Sequence, residues 1–439
     1  MNKKLVAVAV AGVLAAPLAA QAQTANVTLY GRLNIDYELV NGKQVPDASG
    51  NQPNPTVSRL SSNSSRLGVR GTESLGGGLN AIFQIEQNVS GDTGNSSTSG
   101  FASRETFVGL QGSWGTFKMG KFLMPYDDLH PIFGNVPTYT TSILSTADLW
   151  SQGTLSKFAG GFDARLGNSL RYDSPVWAGF NFSGQVSLRD SSGFADNTGP
   201  SANPTSSIGT NLQVGSQTSL TPPNVLNPNL GGDNGDHASE LRHAYVFGIA
   251  GYYNNGPIQA GVGYERNVKV RNYAVPGGTF NANDWALTVT GAYNFGVVRP
   301  ALVYERLDYD TPTGSLQRDF WGVSVTAPIG PGALYFFFGD ALGGKGGAAD
   351  GTRVGGLTKG SQTSSQQWEI SYTYPLSKRT QVYAGYVGLA NDKNAAYTFN
   401  INAYTVNTTC QFSQSAVNQD TCGKNGRPQG LVFGMIHLF

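Results

Sequence analysis

The sequence predicts an all-β protein, a transmembrane antiparallel β-barrel of about sixteen strands. Three observations carry that reading. The N-terminus has the build of an export leader, and residues then alternate in polarity over stretches of about ten. The composition is also far less charged than that of a soluble domain, at 13% Asp, Glu, Lys and Arg against a usual share of about 25%.

The leader comes first. Met1-Asn2-Lys3-Lys4 supplies positive charge, Leu5 to Leu18 is apolar, and Ala20-Gln21-Ala22 offers small residues at the positions a signal peptidase reads. A signal peptide over residues 1–22, cleaved after Ala22, and a single mature domain over 23–439 are therefore expected. A retained anchor is the alternative, but the run falls short of the roughly 20 residues a spanning helix needs. Loss of Lys3 and Lys4 takes Lys+Arg from 29 to 27 against 28 acids, a formal net charge of −1. So balanced a chain offers no basic field for nucleic acid.

After the leader no segment is apolar enough to cross a bilayer as a helix. A barrel remains open, because only alternate residues of its strands face lipid. The rest of the composition agrees: 39% hydrophobic residues, mean hydropathy −0.23, 58 Gly, 20 Tyr and 22 Phe. Aromatics suit the interfacial girdles of a barrel, and glycines suit its many turns.

The strands follow in order. In Val27-Thr28-Leu29-Tyr30-Gly31-Arg32-Leu33-Asn34-Ile35-Asp36-Tyr37, the odd positions are apolar or Gly, and Thr28, Arg32, Asn34 and Asp36 fall on the other face. Arg66 to Gly71 is joined to Leu79–Gln87 by the turn Leu75-Gly76-Gly77-Gly78. Arg104–Gln111 and Gly115–Lys121 flank Gly112-Ser113-Trp114, and Ser169–Ser174 pairs with Phe180–Leu188. Later hairpins turn at Asn254-Asn255-Gly256-Pro257, Phe295-Gly296, Pro328-Ile329-Gly330-Pro331-Gly332 and Pro375-Leu376-Ser377-Lys378. Long polar connections alternate with these turns, the largest at about 190–239. Inside lipid every backbone N–H and C=O must be paired within the protein, so half-apolar strands have to close on themselves. A ring of sixteen leaves an aqueous lumen.

Four stretches carry a resemblance: Thr28-Leu29-Tyr30-Gly31, Ser65-Arg66-Leu67-Gly68-Val69-Arg70-Gly71, Phe107-Val108-Gly109-Leu110 and Asn168-Ser169-Leu170-Arg171-Tyr172-Asp173-Ser174-Pro175. Their order and spacing make the chain resemble the general porins of Gram-negative bacteria, most like the betaproteobacterial branch, over essentially the whole mature length. The C-terminal strand Gly430–Phe439, with His437 and Phe439, resembles the signal by which outer-membrane barrels are recognised by their assembly machinery. The resemblance implies a water-filled outer-membrane channel for passive diffusion of small hydrophilic solutes and ions. It also implies a homotrimer among outer-membrane lipids and lipopolysaccharide, and a third long loop, about 122–154, folded into the pore as a constriction. Many members carry an acid beside the Phe-Gly of that loop; this chain has Ile132 before Phe133-Gly134.

A constriction selects by size and by a field between wall cations and loop acids. Parity nominates Arg32, Arg66, Arg70, Arg104, Lys121 and Arg171 on the wall, with Asp127 and Asp128 on the loop. These charges lie within a Debye length, about 8 Å, of a passing ion. A mild anion preference is the expectation. The plainer alternative is that the arginines pair with Asp36, Glu73, Glu86 or Asp173 and only stiffen the wall.

Other chemistry is poorly signalled. Cys410 and Cys422 share one polar stretch and read as a disulfide, worth roughly 3 kcal/mol in the unfolded-chain model. His130, His237, His243 and His437 are scattered, with no nucleophile placed by a motif. Gly339–Gly346 imitates a phosphate loop but has Gly346 where Ser or Thr is needed, and Asp233–Asp236 lacks the rest of a calcium loop. No cofactor, metal site or catalytic residue is expected. A substrate-specific channel is the nearest alternative, ahead of a barrel enzyme or a secreted β-sandwich adhesin.

Overall fold

The computed structural model describes residues 26–42, 56–94, 101–134, 142–151, 162, 164–188, 245–275, 278–354, 357–395, 397–399 and 425–439. The leader, the 190–239 connection and both cysteines lie outside these residues. One antiparallel sheet of seventeen strands dominates. In chain order these begin with β1 (Asn26–Asn41), β2 (Thr56–Ser62), β3 (Arg66–Gly76), β4 (Leu79–Asn88), β5 (Thr106–Gly112) and β6 (Gly115–Leu123). The middle of the sheet is β7 (Arg165–Asp173), β8 (Phe180–Leu188), β9 (Tyr245–Asn255), β10 (Ile258–Val275), β11 (Gly278–Tyr293), β12 (Arg299–Thr311), β13 (Gly314–Ile329) and β14 (Gly332–Ala341). A two-stranded hairpin, β15 (Arg353–Val354) with β16 (Leu357–Thr358), stands apart from it. The sheet resumes at β17 (Ser365–Pro375), β18 (Thr380–Asn391) and β19 (Gln429–Leu438).

Both β2 and β3 pair with β1, the first along Ile35–Asn41 and the second along Asn26–Arg32. They are two halves of one strand, broken where Ser64 takes a left-handed φ of 51°. Counting them together turns seventeen strands into sixteen staves, as the alternation predicts. The ring closes between β1 and β19, from Arg32 opposite Leu438 to Asn41 opposite Gln429. No edge is left, which is what a chain in lipid requires.

Each stave obeys the two-residue period. Along β1, Leu33, Tyr37 and Leu39 are exposed on the outer wall, whereas Arg32, Asn34, Asp36, Glu38 and Val40 are buried inside. The outer wall is mostly apolar, with Leu29, Ile249 and Leu302 more than half exposed. Moving such a side chain from water to hydrocarbon is worth about 1.5–3 kcal/mol. At one end of the barrel the staves join through tight turns; in the first, Gly76, Gly77 and Gly78 all have positive φ, which explains the glycine run. The longer connections gather at the other end.

The interior is not empty. The third long connection, L3 (residues 124–164), turns inward after β6. Its described parts, 124–134 and 142–151, supply Phe133, Ile143, Leu144, Leu149 and Trp150 to the largest apolar cluster. Phe162 and the β15–β16 hairpin build a second cluster against Tyr309 and Leu316.

Candidate pore and the segment folded into it

The inward turn has a local cause. Gly120, at φ 149°, begins a bulge between β6 and β7, and Phe122 swings inside against Phe107 at 5.9 Å between ring centroids. Pro125 follows, then a 3₁₀ turn over Asp127–Leu129 and a short helix α1 (His130–Phe133) with Pro131 in its first turn. Farther along, Ser145 Oγ accepts from the Ala147 N–H and caps a second 3₁₀ turn, Thr146–Asp148.

The described parts of L3 lie along the inner wall from β9 round to β1. Its seat is made by glycines that face inward. A Cβ on Gly261 would lie 2.3 Å from Leu129 Cδ2, one on Gly430 2.4 Å from Ile143 Cδ1, and one on Gly248 2.8 Å from Met124 Cε. Any larger residue would push the segment off the wall. Hydrogen bonds fix it in place. Arg299 Nη2 donates to Ile132 O at 2.6 Å, Ser324 Oγ to Phe133 O at 2.7 Å, and Gln367 Nε2 to Ser145 O at 2.9 Å. The Ser142 N–H donates to Asn63 Oδ1 at 3.1 Å, and the Ile143 N–H reaches Glu38 Oε1 at 3.4 Å.

The strongest anchor is Glu305 on β12. Its Oε2 accepts from Tyr126 Oη and, at 2.8 Å, from the Ser151 N–H, while Oε1 takes Arg318 Nη2 at 2.6 Å. Glu305 and Arg318 are both wholly buried. Removing one partner of so buried a pair would strand the other, and the surrounding donors help offset the cost of burial. Burial pushes the Tyr126 phenol well above its ordinary value, with Glu305 adding to the shift.

His130 lies flat on Trp150, 3.9 Å between centroids, with Nε2 3.2 Å from Ser151 Oγ. A Ser–His contact suggests a nucleophile and its base, but this one cannot serve. Both residues are buried, and Asp127 Oδ1 approaches the same Nε2, at 3.6 Å, rather than the opposite nitrogen where an orienting carboxylate belongs. Burial pushes the imidazole down to about 3, so it is a neutral packing ring.

The expected pore charges fall into two groups. Arg104 Nε meets Glu86 Oε1 at 2.6 Å, Arg66 Nε lies 3.5 Å from Oε2, and Tyr30 Oη donates to Oε2 at 3.0 Å. Farther round the wall, Arg171 binds Asp128 at 2.5 Å and Asp173 at 2.8 Å, and Lys118 meets Asp173 at 2.8 Å. Pairing to Glu86 and Asp173, the plainer alternative, therefore holds for Arg66, Arg104 and Arg171. Arg32 sits deeper and donates to Asn63 O and Ser64 O, at 3.4 and 3.0 Å, stitching the break between β2 and β3. Arg70 is exposed to the lumen, 5.0 Å over the Tyr30 ring.

Lys121 corrects the sequence reading. It pairs with Thr106, which pairs with Ile85 on the outer face, so parity puts Lys121 outside and Lys118 inside. Counting by twos, Lys118, Gly120 and Phe122 share the inner face and Lys121 falls on the other. Arg59, which meets Glu38 at 2.6 Å, and Arg299 also line the interior and were not foreseen. Beneath α1 a cavity of about 440 Å³ opens among Asp128, Ile132, Arg171, Ser183, Tyr252 and Gln259.

His437 and Phe439 lie at the closing seam. His437 Nδ1 is 2.9 Å from Thr380 Oγ1; the Gly31 N–H donates to Phe439 O at 2.9 Å, and the Phe439 N–H returns a bond to Gly31 O at 3.1 Å. The Phe439 ring lies over Gly31, where a Cβ would come within 2.2 Å of it.

A closed sixteen-stave barrel with an apolar outer wall and a charged, partly filled lumen defines a membrane channel of the outer-membrane type. The chain belongs to the Gram-negative porin family, whose sequence model matches residues 7–394. It is 28% identical to outer membrane porin protein 32 of Delftia acidovorans, covering 89% of this chain and 90% of the relative. Among solved structures it is similar to one described as an anion-selective porin from Comamonas acidovorans: TM-score 0.60, 22% identity, covering 94% of this chain and all of the other. Another is the trimer form of OmpT of Vibrio cholerae: TM-score 0.56, 15% identity, covering 94% and 99%. The protein is thus a porin of the Gram-negative outer membrane, a passive channel for small hydrophilic solutes.

Proposed function

We propose that L3 is the constriction of this channel and that the pore mildly prefers anions. One observation carries the reading: interior charges are sorted by accessibility. Arg59, Arg66 and Arg70 reach the lumen, the first two with side chains 26% and 30% exposed and the third more so. The carboxylates of the wall behind L3 are buried. An ion in the open part of the lumen therefore meets bases first. The anion-selective description of the Comamonas acidovorans structure agrees in direction. Reversal potentials in planar bilayers under a KCl gradient test this. Chloride should be favoured, and the preference should fade as salt shortens the Debye length. A several-fold preference for potassium at low salt would reject it.

We read the chain as a channel and not an enzyme, on the grounds of the buried His130–Ser151 contact. Residues 1–22 are removed after Ala22, and the mature chain assembles as a homotrimer among outer-membrane lipids and lipopolysaccharide. The trimer form of the Vibrio cholerae structure supports that assembly. His437 and Phe439 are the residues that the barrel assembly machinery reads; Phe439→Ala should lower the yield of heat-modifiable trimer. Cys410 and Cys422 form a disulfide, and labelling of both thiols in the unreduced protein would dismiss it.

A further inference from the structure

L3 hides one kind of charge. On the wall it covers, Asp36, Glu38, Glu265, Glu305 and Glu369 face inward, and none is more than 1% exposed. Each lies against the segment or beside its seat. Glu38 and Glu305 accept L3 amides. Asp36 sits beside Ser142 and Asn63. Glu265 follows Gly263, where a Cβ would touch the Tyr126 backbone. Glu369 stands between Gln367, which donates to Ser145 O, and Ser371, whose hydroxyl donates to Glu369 Oε1 at 2.7 Å. Arg59 and Arg318 answer Glu38 and Glu305. Among the described residues no cation pairs with Asp36 or Glu369, and each has an oxygen with no hydrogen-bond donor.

We propose that seated L3 is an electrostatic screen, and that Asp36 and Glu369 are selectivity residues held out of the ion path. L3 keeps a passing ion away from Asp36 and Glu369, whereas Arg59, Arg66 and Arg70 meet it at the lumen surface. A charge's pull weakens with separation, so the ion feels the bases opposite more than the carboxylates behind. Unseating L3 places those carboxylates on the water-filled lumen and moves the channel toward cations. The sign of selectivity thus depends on whether L3 is docked, as well as on the charges in view.

The test uses the full-length channel in planar bilayers. Gly261→Leu with Gly430→Leu removes the two tightest parts of the seat. The chloride-to-potassium permeability ratio should fall about threefold or more as the carboxylates enter the field of the pore. Adding Asp36→Asn and Glu369→Gln in that background should restore most of the ratio, while the same pair with L3 seated should leave it unchanged. An unseated channel with the parent's ratio, a failed restoration, or a shift in the seated background would each overturn the screen. If the glycine variants do not assemble, Glu369→Cys in the otherwise native channel must resist a charged thiol reagent that modifies Arg70→Cys; rapid modification at 369 refutes the proposal. The inference takes only its starting sign from the anion preference proposed above. A parent that prefers potassium defeats that preference, whereas the screen is judged by the change on unseating.

Discussion

The two halves of the barrel wall share one backbone plan and opposite side-chain strategies. From β9 round to β1 the inner face is inlaid with glycines and buried carboxylates, and it works as a dock for L3. From β2 to β8 it carries longer basic side chains and stays open to the lumen. The contrast shows that an inward glycine in a barrel need not mark a turn or a weak stave. Gly261 and Gly430 are seats, and their missing side chains let a second layer approach to van der Waals distance.

The largest expected effect lies on the docked half. Glu305→Leu leaves Arg318 buried without its anion and releases Tyr126 and Ser151 together, a loss of about 3–5 kcal/mol. The unfolding temperature read from heat-modifiable gel migration should drop clearly, and noise in the open channel should rise. An unaltered melting point would mean that the anchor does not hold the dock.

Next comes pH. His130 is held neutral, its value pushed down to about 3 from an ordinary value of about 6.5. A group depressed on folding contributes its full stability above the unfolded value, and that stability drains as pH falls from there toward the folded value. L3 should therefore sit firmly between about pH 7 and 9 and loosen progressively below about pH 6, with brief closures growing more frequent. His130→Asn should flatten that dependence; a variant with the parent's acid response would place its origin elsewhere.

On the open half, Lys118→Ala should shift selectivity measurably toward cations, since it also leaves Asp173 less neutralised. Lys121→Ala should do almost nothing to the reversal potential. The reverse order would show that Lys121 and not Lys118 faces the lumen. Smallest of all should be Arg306→Ala. Arg306 and Lys345 both meet Asp319 on the outer face, Arg306 at 2.7 Å. An exposed pair of this kind contributes about 0–1 kcal/mol, and it lies outside the lumen.

Much of the barrel was legible because a stave writes its environment into alternate residues. The pattern of β1, the glycine turn after β3 and the pairing of β7 with β8 could all be read within ten or twenty residues. The site was legible only in kind. Arg66, Arg70, Arg104 and Arg171 do face inward, yet their partners are set by contacts such as Arg171 to Asp128, 43 residues apart. The dock was hidden altogether. Gln367 and Ser145 meet across 222 residues, and no local pattern tells a glycine that seats a loop from one that merely tolerates a strand. Lys121 failed for a narrower reason: the inward parity of β6 runs Lys118, Gly120, Phe122, and a count that starts one residue off reverses every side chain.

The seam between β1 and β19 has a consequence for how the protein comes into being. Its two sides are almost as far apart along the chain as any two segments can be, so the contact that completes the ring bears a large loop-closure entropy and is reached late. Until then every intermediate carries two raw edges, each a ladder of donors and acceptors open to any passing strand. A protein built this way spends its most vulnerable period nearly finished, and something must guard those edges between export and closure. The inlay of Gly31 beneath the Phe439 ring then acts as a latch, engaging only when the first stave and the last have found one another in register.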